Sequence, residues 1–220
     1  MSAFPRSPRV LKGGIVLLDP SSFAIKPNGV IVLQYNPDTL TRTLKIKGIS
    51  EGGDRSEALR LTGPPVETFK LDAEIDATDQ LEDPDNNPNT VRYGIAPHLA
   101  ALETLVYPDS ATLQTNFNLS QQGTLEIMPV LAPQSLFVWS ASRIVPVRLT
   151  DLSITEEAFD PSLNPLRAKV SIGMQVLSID DLFFSDKSGG LYMAYQRQKE
   201  TLATLYQYGT LGALGIQGIP

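Results

Sequence analysis

The chain has no cysteine among its 220 residues. Disulfides, thiolate metal sites and cysteine nucleophiles are therefore excluded, and the composition fits a protein kept in a reducing compartment. Histidine occurs once, at His98. No imidazole cluster can hold zinc and no two-histidine metalloprotease helix can form. Positive charge is in short supply: 18 Lys and Arg stand against 24 Asp and Glu, a net charge of −6. That balance argues against nucleic acid as a partner. No apolar run reaches the roughly 18 residues of a membrane span. The first nine residues hold Arg6 and Arg9 with no apolar stretch behind them, so no signal peptide is read there.

What is present is apolar material in ordered patterns. Hydrophobic residues make up 42% of the chain, enough for a packed core. The length suits one large domain, or one domain with an extension. The clearest pattern spans residues 145–176. Leu166, Ala168, Val170, Ile172, Met174 and Val176 alternate with Arg167, Lys169, Ser171, Gly173 and Gln175. Period two over that length predicts a strand with one buried and one wet face. A preceding strand carries Val145, Val147, Leu149, Leu152 and Ile154. Its step of three between Leu149 and Leu152 predicts a β-bulge at Thr150 and Asp151. Residues 160–165, Asp-Pro-Ser-Leu-Asn-Pro, are turn chemistry. Setting Ile154 opposite Val170 places Leu152 opposite Ile172 and Glu157 opposite Arg167, an opposite-charge cross-strand pair.

Earlier in the chain, short strands are predicted at residues 15–18, 30–35 and 41–49, the last with Leu44 and Ile46 facing inward. Residues 50–56 read as a polar, glycine-rich loop. Strict alternation over residues 67–76 gives another strand, with Phe69, Leu71, Ala73 and Ile75 on one face. Residues 79–89 read as a polar loop. Pro97 opens a helix whose stripe is Leu99, Leu102, Leu105 and Val106, closed by Pro108. Further strands are predicted at 123–131 and 136–142. Residues 185–190 read as a linker. A helix over 191–208 carries Leu191, Tyr195, Leu202 and Leu205, and an apolar, glycine-rich tail follows.

Residues 71–110 hold nine acids and one base, Arg92. They read either as a solvated face and loop or as a docking surface for a basic partner.

The sequence offers little catalytic chemistry. Gly48-Ile49-Ser50-Glu51-Gly52 matches the spacing of a hydrolase nucleophile elbow, but a polar loop stands where the elbow needs a helix. Residues 83–94 begin like a calcium loop, yet Pro88 replaces its turn glycine and Gly94 its bidentate glutamate. No phosphate-binding glycine loop follows a strand. The acids single out no pair for sugar hydrolysis, and Phe137 and Trp139 read as core or interface anchors. No catalytic residue, cofactor or metal site is assigned.

Four stretches carry a family likeness. "VIVLQYNPDTLTRTL" (residues 30–44) is similar to the Phe-x-Phe-Asn-Pro opening, with its later arginine, of the tube-like baseplate proteins of contractile injection systems. "GPPVETFKLDAEI" (63–75) resembles the strand that follows in that family, and "PHLAALETLVYP" (97–108) its single helix. "VRLTDLSITEEAFDPSLNPLRAKVSIGMQVL" (147–177) resembles its hairpin: an acidic pair, Phe-Asp, a proline turn, then Arg-Ala.

The resemblance implies a mainly β, α+β chain: a tube-protein-like β-barrel or sandwich with one packed helix, long hairpins and a C-terminal helical extension. It implies a non-enzymatic subunit assembled in the cytoplasm into a phage-tail-like particle. There six copies would form a ring joining the inner tube protein to the trimeric spike protein among other baseplate proteins, and seeding tube assembly. The inner tube subunit itself is the alternative, and a cell-wall carbohydrate-binding or hydrolytic sandwich a remote one. Many family members carry a C-terminal LysM module, where this chain has a helix and an apolar tail.

The expected division is an arm over 1–12, a β domain over 13–182 and a C-terminal helix with docking tail over 183–220. Candidate assembly residues are Glu156, Glu157, Phe159, Arg167 and Lys169 on the hairpin, and Leu202, Leu205, Leu211 and Leu214 at the C-terminus. For the tail, docking on a neighbour stands against simple disorder.

Overall fold

The computed structural model describes residues 11–19, 22–48, 60–121, 134–182 and 187–219. Most of the expected arm, the 50–56 loop with the elbow match, and the 123–131 strand lie outside them. The strands are β1 (Gly14–Leu18), β2 (Ile25–Val32), β3 (Leu40–Lys45), β4 (Val66–Asp76), β5 (Gln134–Ser140), β6 (Arg143–Phe159) and β7 (Pro165–Val176). They form one antiparallel sheet in the order β2-β1-β5-β6-β7-β4-β3. The fold is mainly β, of the α+β type.

β6 organises the sheet. Its first residues, Arg143 to Val147, pair with β5, and from Val147 onward it pairs with β7. One strand thus serves two half-sheets. Between them lies the expected bulge, a register shift between Leu149 and Asp151. Gly173 makes room for it, because a Cβ there would stand 3.1 Å from the Thr150 hydroxyl. Beyond the bulge the predicted register holds: Leu152 faces Ile172, Ile154 faces Val170 and Glu157 faces Arg167.

The two half-sheets curl toward each other. Phe69 of β4 and Phe137 of β5 meet with ring centroids 5.5 Å apart, although three strand pairings separate their strands in the sheet. The side chain of Gln34, just after β2, helps to close the curl. Its amide donates to the Asp76 carbonyl at 2.7 Å and accepts from the Asp76 N–H at 3.0 Å. Gln34 thereby substitutes for a strand where β4 runs past the end of β3. Inside lie Ile15, Leu17, Phe69, Leu71, Phe137, Val145, Val147 and the inward row of β7 from Ala168 to Val176. Each fully buried aliphatic in that row contributes about 1.5–3 kcal/mol.

Helical structure between β4 and β5 exceeds the single helix read from the sequence. The region read as a polar loop contains α1 (Thr78–Leu81) and α2 (Pro88–Tyr93). Then come α3 (Ala96–Glu103) and α4 (Ser110–Gln121). α3 and the turn after it bring Leu99, Leu102 and Leu105 into the core as predicted, while Val106 stays exposed.

The α2–α3 junction clamps the far end of the β6–β7 hairpin. Ile95 donates its N–H to the Pro165 carbonyl at 2.8 Å, and the Asn164 amide donates to the Arg92 carbonyl at 3.2 Å. Gly94 sits at φ +57°, and a Cβ there would approach the Pro165 oxygen to 2.1 Å. Only glycine fits. The hairpin tip is therefore pinned to its own subunit and does not project as a free arm.

α5 (Lys187–Thr204) packs on β6 and sends Tyr192 and Tyr195 into the core. The helix starts inside the stretch read as a linker. A 3-10 turn, Leu211–Leu214, lies in the tail.

Candidate assembly surfaces

The outer face of β6, β7 and β4 carries Glu157, Arg167 and Lys169, whereas Glu156 lies opposite Ala168 on the inward side of β6, past the covered core. Cross-strand placement sets Glu157 opposite Arg167, but Glu157 makes its ion pair diagonally, with Lys169 at 3.2 Å. Arg167 turns the other way, to Asp76 of β4 at 2.7 Å. Asp76 also accepts from the Thr78 hydroxyl and N–H. Those Thr78 hydrogen bonds, then Arg167 beside them, outweigh the opposing effect of burial and hold its carboxyl below the usual range. Arg167 is correspondingly held charged by Asp76. Tyr35 closes one side of this open concavity, with Glu74 beside it. Its hydroxyl donates to Asp79 at 2.9 Å, and that bond raises its pKa. Glu156 is exposed, and Phe159 is half-exposed at the end of β6. The structure therefore brings Glu157, Arg167 and Lys169 together on one face, with Glu157 and Lys169 paired to each other and Arg167 to Asp76, and leaves Glu156 on the other side.

The C-terminal candidates are set apart by their contacts. Leu202 and Leu211 are exposed, and Leu205 and Leu214 are each 74% exposed. No charged residue occurs from Thr201 to the end of the chain. Tyr206 and Tyr208, whose rings meet edge to face at 5.2 Å, extend this apolar surface.

Two surfaces were not singled out by sequence reasoning. One is the pair of sheet edges. Among the described residues, β2 and β3 each have one strand neighbour. β2 exposes Ile25, Val30 and Val32. Leu44 and Ile46 were expected to face inward. Leu44 lies opposite Glu67 on the core side of the sheet, yet it is 44% exposed, and Ile46 is 72% exposed. Leu44 points as expected but is not covered, because this end of the sheet extends past the core; Ile46, beyond the end of β3, does not face the core. The other surface is the inward carboxylate of Glu67, bonded to Tyr195 and Lys199 of α5. A polar residue opening a strand gave no local sign of that role.

His98 sits half-buried in α3, where burial lowers its pKa; its Nδ1 is buried with no hydrogen-bond partner among the described residues. Among those residues no group of three or more His, Asp or Glu is placed to hold a metal ion, and no helix is long and apolar enough to cross a membrane.

No family model matches the chain, and no curated protein sequence matches it. Among solved structures it is similar to a chain from the tail of an empty gene transfer agent (GTA) particle, computed with helical refinement in C6 symmetry. The identity is 12%, the TM-score 0.28, and the match covers 74% of this chain and 90% of that one. It is also similar to a chain from the virion of a native GTA particle, at 12% identity and TM-score 0.28, covering 77% of this chain and 94% of that one.

Proposed function

We propose that the chain is a structural subunit of a phage-tail-like contractile particle, one that closes into a six-fold ring where the inner tube meets the spike and seeds tube assembly. The observation that carries this reading is the pair of strand edges, β2 and β3, unpaired among the described residues, with exposed aliphatic side chains on or beside both. Strand edges with unpaired backbone groups invite pairing with another chain. Two different edges on one subunit make a head-to-tail interface, which yields a closed ring when the subunit rotation closes. The four family-like stretches supply the particle, the six-fold count and the tube and spike partners. The outer-face hairpin residues and the apolar tail serve the contacts between layers. No enzymatic step is part of this reading.

The test is to place a charge on each edge in turn. Val32→Lys and Ile46→Lys leave the purified subunit folded, because neither side chain is buried, and abolish its incorporation into particles. Incorporation at the wild-type level in both variants would refute the edge-to-edge ring.

A further inference from the structure

The two halves of the sheet differ on their outward face. Across β2, β1, β5 and β6, Ile31, Ile15, Phe137 and Val145 form a row that faces the core. Residues one step along each strand face the other way. Val32, Gly14, Val138 and Ile144 make one outward row, and Val30, Val16, Leu136 and Pro146 the next. Neither row holds a charge, and Val30, Val32 and Ile144 are exposed. The outward face of β6, β7 and β4 is instead lined by Glu74, Asp76, Glu157, Arg167 and Lys169. An apolar patch beside so polar a face marks an interaction surface.

We propose that this aliphatic face receives the C-terminal segment, Thr201 to Ile219, of a second copy of the chain. Three observations carry this. First, the segment matches the face in chemistry. Every residue from Thr201 to Ile219 is exposed and none is charged. Apolar surfaces without charge lose least when water leaves both. Second, the segment has local structure but no home on its own domain. Its Tyr206 and Tyr208 rings meet each other, the Tyr208 hydroxyl donates to the Ala203 carbonyl, and the Ile216 N–H closes the 3-10 turn on the Leu211 carbonyl. Third, α5 aims the segment away from the face on its own subunit. The helix starts at β5, where the Ser188 hydroxyl donates to Gln134 at 2.8 Å. Tyr195 and Lys199 then reach Glu67 of β4 from the core side, both at 2.7 Å, with Arg42 of β3 3.8 Å from the same carboxylate. The helix therefore runs toward the β3 edge, and exposure becomes complete just beyond Lys199. The aliphatic face lies at the β2 edge and on the opposite side of the sheet. A second copy brings the two surfaces together. Like the strand edges, they are different surfaces of one chain and join copies head to tail. The docking rests on the ring reading for the presence of a neighbouring copy, and it moves the tail's contact from between layers to within the ring.

The absence of cysteine makes a clean test possible. A full-length chain carrying Leu211→Cys is labelled with benzophenone-maleimide, mixed with isotopically heavy unmodified chain and irradiated. Mass spectrometry then finds where the light tail attaches. The expected adducts join light tail to heavy β2, β5 or β6 at the outward rows, and they are lost when the heavy chain carries Ile144→Lys. Should that variant fail to fold, Leu214→Lys on the exposed tail replaces it with the same expected loss. Adducts confined to the same chain, spread equally over the polar residues of β7 and β4, or absent altogether overturn the proposal. Ile46→Lys separates the two readings. It blocks the β3 edge and leaves the tail adducts in place, so particles that still incorporate this variant count against the edge ring and not against the docking.

Discussion

In β7 the inward side chains Ala168, Val170, Ile172 and Met174 are fully buried, whereas on the same side of the sheet Leu44 of β3 is 44% exposed, and Ile46 just past the strand end is 72% exposed. Both stretches show alternation. The difference lies in their neighbours. β7 is flanked by β6 and β4, and the opposite half-sheet covers its inner row. Among the described residues, β3 has β4 on one side and no strand on the other. Periodicity reports which way a side chain points, and only the fold decides whether anything covers it. An edge that leaves its aliphatics in the open is available for pairing with another chain.

The largest effect that can break this comparison lies in β7. Ile172→Ala should lower stability by about 2–5 kcal/mol, the usual cost of a large-to-small change in a packed core, measured by urea unfolding. A loss near zero would mean that the inner row is not packed as described. Next is Gly94→Ala. The left-handed backbone alone costs about 1–3 kcal/mol for a residue with a side chain, and the clash with the Pro165 oxygen adds to it. Wild-type stability in that variant would unpin the hairpin tip from the α2–α3 junction.

A smaller effect is the response to acid. The Asp76 carboxyl is held below its ordinary value in the fold, so it contributes stability above the unfolded value of 3.8, and that contribution is lost as pH falls through the lower folded value. The urea midpoint should therefore drop below about pH 4, and Asp76→Asn should flatten part of that drop while lowering the midpoint at neutral pH. An unchanged acid profile in the variant would remove Asp76 from the account. Smallest is Ile46→Ser at the edge. It should change the stability of the isolated subunit by no more than about 0.5 kcal/mol, yet reduce assembly. A core-sized loss would place Ile46 inside after all.

Much of this was legible locally. The inward row of β7, the hairpin register and the bulge followed from counting steps of two and one step of three. The leucine stripe of α3 followed from helical spacing. What escaped the sequence depends on long-range neighbours. Glu157 pairs diagonally with Lys169 because Arg167 is drawn to Asp76 on β4, a strand whose place beside β7 no hairpin pattern announces. Glu67 takes partners 128 and 132 residues away, so no local spacing points to them. α4 escaped because it buries none of its residues; an uncharged helix with Leu113 and Phe117 exposed lacks the contrast between faces that reveals a packed one.

The most direct measurement of the central claim is the copy number of this chain in purified particles, by quantitative mass spectrometry against a sheath or tube standard. The account predicts one ring's worth per particle. Many rings' worth would make the chain the tube itself, and absence from particles would contradict a structural role in them altogether.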